Sequence, residues 1–290
     1  MAKHEREQHP EQAGTPEQSG QSGQAGQAAH ISIDLSLCNK DGLCISECPA
    51  FLLSRGEDRF PVVSAQAAER CIMCGHCVAV CPTGALRLAG KGAAELAPID
   101  PALAISPEAA EQFMRSRRSV RRFSSKRVER ELFRRVIDTA RYAPSGVNTQ
   151  PVNWIVVSDP DLLVALIDLT AKSLRRLPYF MPYLDAWSRG EDLILRSAPH
   201  LVVAHAPKGG MDNTTNCVIA LSHFELAAHA LGLGTCWAGL FTYAAGRSKG
   251  IASALCIPDG HKIYGALMLG RPKYGFKRLP ERKRPPVRFL

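Results

Sequence analysis

The 290-residue sequence contains no long apolar run, and its N-terminal region has no apolar segment of the signal-peptide type. These absences predict a protein that neither spans a membrane nor is secreted, so a cytoplasmic location is expected. No Ser-His-Asp arrangement can be recognised. Four histidines lack the spacing of metal ligands and are interpreted as structural: His200, His205, His223 and His229.

The formal net charge is +9, and such a positive charge could bind nucleic acid, a membrane surface or an anionic cofactor. No signature of a nucleic-acid-binding fold accompanies the arginine-rich stretches. We therefore expect neither a nucleic-acid partner nor a membrane partner.

Composition divides the chain into four parts. Residues 1–29 are rich in Gln, Gly, Ser, Glu and Ala and predict a disordered tail. Residues 30–90 hold most of the cysteines, and residues 91–106 read as a linker with small residues and prolines. Residues 107–290 combine helical periodicity with short β-branched runs, which is typical of an α+β domain.

Within the last part, Pro107 is expected to open an amphipathic helix, and residues 128–140 keep one apolar helical face that Pro144 would end. Helices are also predicted over 160–176 and 216–233. The runs "NWIVVS", "HLVVAHAP" and "YGALMLG" predict strands.

Seven of the ten cysteines fall between Cys38 and Cys81, and this density predicts a metal module in a reducing compartment. The run "CIMCGHCVAVCP" has the C-x2-C-x2-C-x3-C-P spacing of bacterial ferredoxins. Iron in such sites is held by soft thiolate sulfur, and the fourth cysteine of each run binds the other cluster. A zinc ribbon would lack the third and fourth cysteines.

The upstream run "CNKDGLCISECP" is the partner half, with Asp41 where the second cysteine would stand. Gly42 follows Asp41 as Gly75 follows Cys74, which aligns the aspartate with that ligand. Two [4Fe-4S] clusters are therefore predicted. One would bind Cys71, Cys74, Cys77 and Cys48; the other would bind Cys38, Cys44 and Cys81, with Asp41 at the fourth corner.

Three interpretations of Asp41 stay open. The carboxylate could bind iron as a labile ligand, or the corner could be open, leaving a cluster that readily becomes [3Fe-4S]. Alternatively, Asp41 is a surface loop residue and water or hydroxide fills the corner. A purely structural role for two adjacent clusters is disfavoured, because a pair suits electron passage.

Four segments in the second half occur in one order and together resemble the FMN-dependent nitroreductase family: "RSRRSVRRF", "APSGVNTQPVNW", "LGLGTCWAGLF" and "PERKRPP". The whole arrangement is similar to ferredoxin-fused nitroreductases. The resemblance implies an α+β fold with a mixed sheet flanked by helices, preceded by the small ferredoxin-like domain. It also implies bound FMN and a homodimer.

The resemblance further implies phosphate binding by Arg117, Arg118 and Ser119, which follow a helix. Guanidinium groups suit phosphate because they bind it bidentately. Arg282 and Arg284 in the C-terminal tail would close on the same phosphate, although Lys283 leaves the pair uncertain by one position.

Other positions match residues around the flavin ring. Arg121 would lie near the pyrimidine edge, where a cation stabilises the reduced ring. Pro144, Ser145 and Asn148 would reach the flavin from the partner subunit. The backbone N–H groups of Ala238 and Gly239 would face flavin N5, where small residues permit close approach.

The predicted function is an oxidoreductase that passes electrons through the clusters to FMN and on to an electron-poor small molecule such as a nitroaromatic or quinone. Ferredoxin, flavodoxin or NAD(P)H would be the donor. An electron-transfer protein serving a partner protein and an iron–sulfur redox sensor are the alternatives.

Two groups of residues match no motif. In residues 170–195, four aromatic side chains could stack on a planar substrate or belong to the core or a dimer interface: Tyr179, Phe180, Tyr183 and Trp187. Cys217, Cys236 and Cys256 are interpreted as packed small residues, with a further role conceivable for Cys236 because it lies in the third motif.

Overall fold

The computed structural model describes residues 30–290. The chain divides between Ala97 and Pro98 into two compact units. This division falls inside the segment 91–106. The tail predicted over residues 1–29 lies outside the described residues.

The first unit consists of short elements around the cysteine runs. Its strands are β1 (Ile31–Ile33), β2 (Leu53–Arg55), β3 (Pro61–Val63) and β4 (Leu86–Leu88), and its one-turn helices are α1 (Leu43–Ser46), α2 (Ala67–Arg70) and α3 (His76–Ala79). β1 pairs with β4 and β2 with β3, both antiparallel. Cys44 and Cys77 are buried between these pairs among aliphatic side chains.

The backbone of this unit repeats. Gly42 and Gly75 both adopt left-handed conformations, with φ of 79° and 75°, and each immediately precedes a helix. Two residues earlier, Lys40 and Met73 also have positive φ, 66° and 54°. Both pairs are 33 positions apart (75 minus 42, 73 minus 40), and the same offset carries Asp41 onto Cys74. The predicted alignment of these two residues is therefore a property of the backbone.

The second unit contains one sheet of four strands, β5 (Asn153–Val157), β6 (His200–Pro207), β7 (Gly234–Trp237) and β8 (His261–Gly270). The strand order is β5-β6-β8-β7, and each neighbouring pair is antiparallel. A parallel bridge between Ser119 and Thr235 extends the sheet beyond β7 and makes it mixed. The predicted α+β fold is confirmed.

Helices cover both faces of this sheet: α4 (Pro107–Ser116), α5 (Arg130–Ala140), α6 (Pro160–Leu174), α7 (Met181–Ser188), α8 (Asn213–Ala230), α9 (Gly239–Ala245) and α10 (Lys249–Ala254). Leu201 and Val203 of β6 face a core shared with α6, α9 and α10, whereas Val202 and Ala204 face α5 and α8. This alternation is the two-residue period of a strand buried on both faces. Among residues 30–290, no helix combines the length and apolar character needed to span a bilayer.

Local signals set the helix starts. Ser106 Oγ accepts a hydrogen bond from Ala109 N, and Pro107 occupies the first helical position, as predicted for α4. Two predicted details are wrong. Val128 lies before α5, because Glu129 is extended with ψ of 144°, and α5 ends at Ala140, four residues before Pro144.

His200 is a structural histidine, as predicted. Its Nε2 accepts a hydrogen bond of 2.9 Å from Val128 N, and its Nδ1 lies 2.7 Å from Ser158 Oγ. Because Nε2 accepts, the proton of the neutral ring is on Nδ1 and is donated to the serine. Burial, with a smaller contribution from the charge of Arg127, lowers the pKa of His200 to about 4.

This lowered pKa predicts acid sensitivity of the second unit. The unfolded histidine binds a proton near pH 6.5 and the folded one only near pH 4, so stability declines as the pH falls between these values. We expect His200 to contribute a loss of about 3 kcal/mol over this range. Denaturant unfolding at pH 7 and pH 5, followed by tryptophan fluorescence, tests this, since all three tryptophans lie in the second unit. In the variant His200→Gln the free energy of unfolding should depend less steeply on pH. An unchanged dependence would contradict the assignment of the acid sensitivity to His200.

Candidate functional site

The first unit gathers three thiols around the buried thiol of Cys77. Burial, with the charges of Cys74, Cys48 and Cys71, raises the pKa of the Cys77 thiol to about 11. These three thiols therefore lie close to Cys77, although Cys48 is distant in sequence. The structure thus brings together the four cysteines that the spacing assigns to one cluster.

A second grouping surrounds Cys44. Burial raises the pKa of its thiol, and the charges of Cys38, Cys81 and Asp41 add to the effect. These are the four residues predicted for the other cluster. In both groupings the buried thiol comes from the first turn of a helix whose N-terminus is set by a left-handed glycine.

Asp41 stands at the fourth corner of the second grouping. Its Oδ1 accepts a hydrogen bond of 3.0 Å from Leu43 N, and the residue is exposed. A carboxylate has a second oxygen, so this bond leaves Oδ2 as a potential iron ligand. The position fits either a labile oxygen ligand or a corner that solvent can enter.

Two cations flank Asp41 that sequence reasoning missed. Arg55 Nη1 donates to the Lys40 carbonyl at 3.3 Å, and the guanidinium fills the space above Gly42. The equivalent space above Gly75 is open. Lys40 lies with Nζ 3.9 Å from the centre of the Phe60 ring. A comparison of the two cysteine runs could have identified these cations. At the positions 33 residues later, Met73 corresponds to Lys40 and Leu88 to Arg55.

The donor set fits iron–sulfur clusters. Each grouping offers soft sulfur around a buried thiol in an apolar setting, which is the environment that such clusters require. Within the described residues 30–290, no group of three or more His, Cys, Asp or Glu side chains converges on a position for a metal ion. In a four-iron cluster each thiolate binds a different iron atom, so the groupings do not require such convergence.

A second candidate site lies at the β7 edge of the other unit, where the segment after α4 is held against the sheet. Val120 N donates to Thr235 O at 2.8 Å. The approach is close, because a Cβ on Gly234 would lie only 2.7 Å from a Val120 methyl carbon. Glycine at this position therefore lets the arginine-bearing segment run directly along β7.

Arginines from two distant parts of the chain meet there. Partial burial, followed by the charges of Arg282, Arg117 and Arg121, lowers the pKa of Arg118. The chain after β8 runs along the segment after α4, where Lys273 N donates to Arg122 O at 3.0 Å, and the charge of Arg282 acts on Arg118. Arg284 is exposed in the same tail.

The arginines are not equivalent. Arg117 Nη1 lies 3.6 Å from Glu225 Oε1 in a half-buried ion pair, and that carboxylate also accepts from Thr235 Oγ1 at 2.9 Å. Sequence reasoning missed this pair, since Glu225 lies on α8. Within residues 30–290, Arg118 forms no ion pair and is the better placed of the two to bind an anion. Arg121 is exposed, and its Nη1 is 3.5 Å from Ser119 O.

The residues predicted to reach the flavin from the partner lie at the opposite edge of the sheet, before β5. Ser145 Oγ accepts a hydrogen bond of 2.9 Å from Gln150 N, and Gly146 N donates to Asn216 Oδ1 at 3.0 Å. Val147 and Asn148 have positive φ, so the loop is strained and tightly determined. Three strand spacings, ~14 Å, separate β5 from β7. One chain therefore does not bring Pro144, Ser145 and Asn148 to the arginines.

The third motif leads into α9. Ala238 N donates to Ala266 O at 2.8 Å, so this N–H is not available to a ligand. Gly239 is exposed and is the first residue of α9, where backbone N–H groups have no partner within the helix. Of the two backbone N–H groups predicted to face flavin N5, that of Gly239 therefore remains the candidate.

The unassigned aromatic side chains and cysteines divide by burial. Phe180, Tyr183 and Trp187 pack partly against the core, whereas Tyr179 is 79% exposed. Cys217 and Cys236 are buried as predicted. The prediction is wrong for Cys256, which is exposed after α10.

Two family models match this chain, one in each part of it. A model of the nitroreductase family matches residues 114–271, and a model of a 4Fe-4S dicluster domain matches residues 37–86. Two relatives carry the provisional name NADH dehydrogenase/NAD(P)H nitroreductase. The relative from Methanothermobacter thermautotrophicus is 26% identical over 55% of this chain and 75% of its own length. The relative from Archaeoglobus fulgidus is 28% identical over 54% and 82%.

The fold is also similar to that of a solved structure, a nitroreductase with bound FMN from Bacteroides fragilis. The TM-score is 0.55 and the sequence identity 21%, and the match covers 64% of this chain and 100% of that one.

Proposed function

We propose a function for this chain from one premise: the chain belongs to the nitroreductase family. Its cysteine-rich part matches a 4Fe-4S dicluster domain, so both resemblances predicted from the motifs are confirmed. The chain is an FMN-dependent oxidoreductase of that family. Our proposal is that electrons enter at two clusters, pass to FMN, and leave to an electron-poor small molecule.

The observation that carries this proposal is the concentration of positive charge around Arg118 beside β7, to which Arg282, Arg117 and Arg121 contribute. Bringing like charges together is unfavourable unless an anion offsets it, and guanidinium groups bind phosphate strongly. The FMN phosphate is the anion that we assign, because the similar Bacteroides fragilis structure contains FMN. Arg118 and Arg282 would hold the phosphate, with Ser119 beside them.

Other residues of this chain would orient the bound flavin. The Gly239 N–H would donate a hydrogen bond toward the ring, and Arg121 would place a cation beside it. When bound, the clusters supply one-electron transfer and FMN supplies the chemistry toward the acceptor. Cys71, Cys74, Cys77 and Cys48 would hold one cluster.

The second cluster would be held by Cys38, Cys44 and Cys81, with Asp41 as a labile fourth ligand.

We propose that the chain acts as a homodimer. Support comes from the sheet: the loop with Ser145 lies at the β5 edge and the arginines at the β7 edge. A second copy can supply that loop to a site that one chain leaves incomplete.

Arg55 is expected to tune the cluster beside Asp41. A nearby cation stabilises the more negative, reduced form, so removing it lowers the reduction potential. In Arg55→Gln we expect one of the two clusters to titrate at lower potential while the other is unchanged. Redox titration followed by electron paramagnetic resonance measures both. Arg59→Gln, in the turn that follows β2, is the matched control; equal shifts in both variants, or none, would contradict the assignment.

Anaerobic turnover tests the proposed function. Reduced holoprotein is expected to reduce a nitroaromatic or a quinone and to return to its oxidised spectrum. Reduced protein that delivers electrons to a redox protein, but to neither small molecule, would favour the electron-transfer alternative instead.

A further inference from the structure

A cationic groove opens in the second unit between the end of α6 and the start of α10. It is a cavity of about 460 Å³, and its walls carry five cations: Lys172, Arg175, Arg176, Arg247 and Lys249. Among the described residues that line it, none is acidic. None of these cations belongs to the flavin motifs.

These cations are not neutralised within the part of the chain that the structure describes. The ion pairs of residues 30–290 involve other arginines, on α4, α5 and elsewhere. Arg247 instead stacks its guanidinium carbon 3.9 Å from the centre of the Tyr243 ring. A concave surface with charge of one sign concentrates anions.

The groove is connected to the candidate flavin position through α9. Gly239, Tyr243 and Arg247 follow one another at intervals of four residues, so they share one face of a helical segment. The helical course continues past Ala245, because Arg247 N donates to Ala244 O at 2.9 Å. Eight residues of helix span ~12 Å. An extended ligand could therefore reach from Gly239 to the groove along this face.

We propose that the groove binds the phosphate-bearing end of a ligand whose other end reaches the flavin at Gly239. This inference rests on the proposed function. Guanidinium groups bind phosphate bidentately, and five cations suit a ligand with several negative charges. The ring of Tyr243, 38% exposed, lies between the two ends and carries the stacked guanidinium of Arg247. Two ligands have this chemistry: NADPH as the reductant, or a phosphorylated acceptor.

Calorimetric titration of FMN-loaded full-length protein with inorganic pyrophosphate tests the shared chemistry. We expect the double variant Arg247→Gln/Lys249→Gln to bind pyrophosphate at least tenfold more weakly than the wild type. The matched control is Arg134→Gln/Arg135→Gln, which removes the same charge from exposed positions on α5. Equal affinity in both variants would overturn the proposal.

Steady-state kinetics then separates the two ligands. A tenfold or greater rise in KM for NADPH in the groove variant, with unchanged kcat and FMN content, assigns the groove to NADPH. Weaker pyrophosphate binding without a change for NADPH, or with NADPH inactive as a reductant, assigns it to a phosphorylated acceptor. A protein that binds no FMN would contradict the proposed function. Titration of that flavin-free protein with pyrophosphate would still test the groove separately.

Discussion

Replacing Cys74 with alanine is expected to remove about four iron atoms per chain, whereas the same substitution at Asp41 should remove about one. The two residues occupy equivalent backbone positions, because Gly42 and Gly75 follow them with nearly the same φ. The two substitutions therefore compare a thiolate with a carboxylate on nearly the same backbone geometry. A thiolate is a strong ligand for iron in a cluster, and a carboxylate oxygen is a harder and weaker one.

Iron and acid-labile sulfide analysis of anaerobically purified variants measures this difference. The substitution Asp41→Cys tests the opposite change, because it supplies a thiolate at the fourth corner. It should raise or preserve the iron content and make the fourth iron resistant to oxidation. Loss of four irons from Asp41→Ala would show that the aspartate is as essential as a cysteine. No loss at all would identify it as a loop residue that does not bind iron.

Replacing Arg118 with alanine is expected to weaken FMN binding by about 10- to 100-fold, the effect of losing one hydrogen bond to a charged group. The charges of Arg282, Arg117 and Arg121 all act on Arg118, so its loss removes the centre of the proposed phosphate site. Equilibrium dialysis or fluorescence titration of the flavin-free protein with FMN gives the dissociation constants.

Arg122→Ala is the matched control for this experiment. Arg122 is exposed in the same segment, and its carbonyl accepts from Lys273 N at 3.0 Å, a bond that the substitution retains. Its FMN affinity should equal that of the wild type. If both variants lost affinity equally, overall positive charge, and not a built phosphate site, would explain FMN binding.

Patterns within one segment carried the predictions that the structure bears out. The helix α4 begins where Ser106 and Pro107 place it, and β5 and β6 coincide with β-branched runs. These elements depend on local capping and on burial patterns that the chain displays directly. The repeat of the cysteine runs likewise aligns Asp41 with Cys74 in sequence.

Contacts between distant segments could not be predicted in the same way. β7 contains a glycine and only four residues, and it exists because β8 and the segment after α4 pair with it. The Arg117–Glu225 ion pair and the position of Arg55 above Gly42 depend on how strands and helices pack. The hydrogen bond from Ala238 N to Ala266 O, which removes Ala238 from the two predicted flavin-facing donors, also depends on contacts between distant segments.

The proposed function requires one chain to carry both iron–sulfur clusters and a flavin. The most direct measurement is iron, acid-labile sulfide and FMN per chain on anaerobically purified protein. We expect one FMN with about eight irons per chain, or about seven if the corner at Asp41 has lost its metal. Full clusters without FMN, even after flavin is added, would contradict it and would leave an electron carrier.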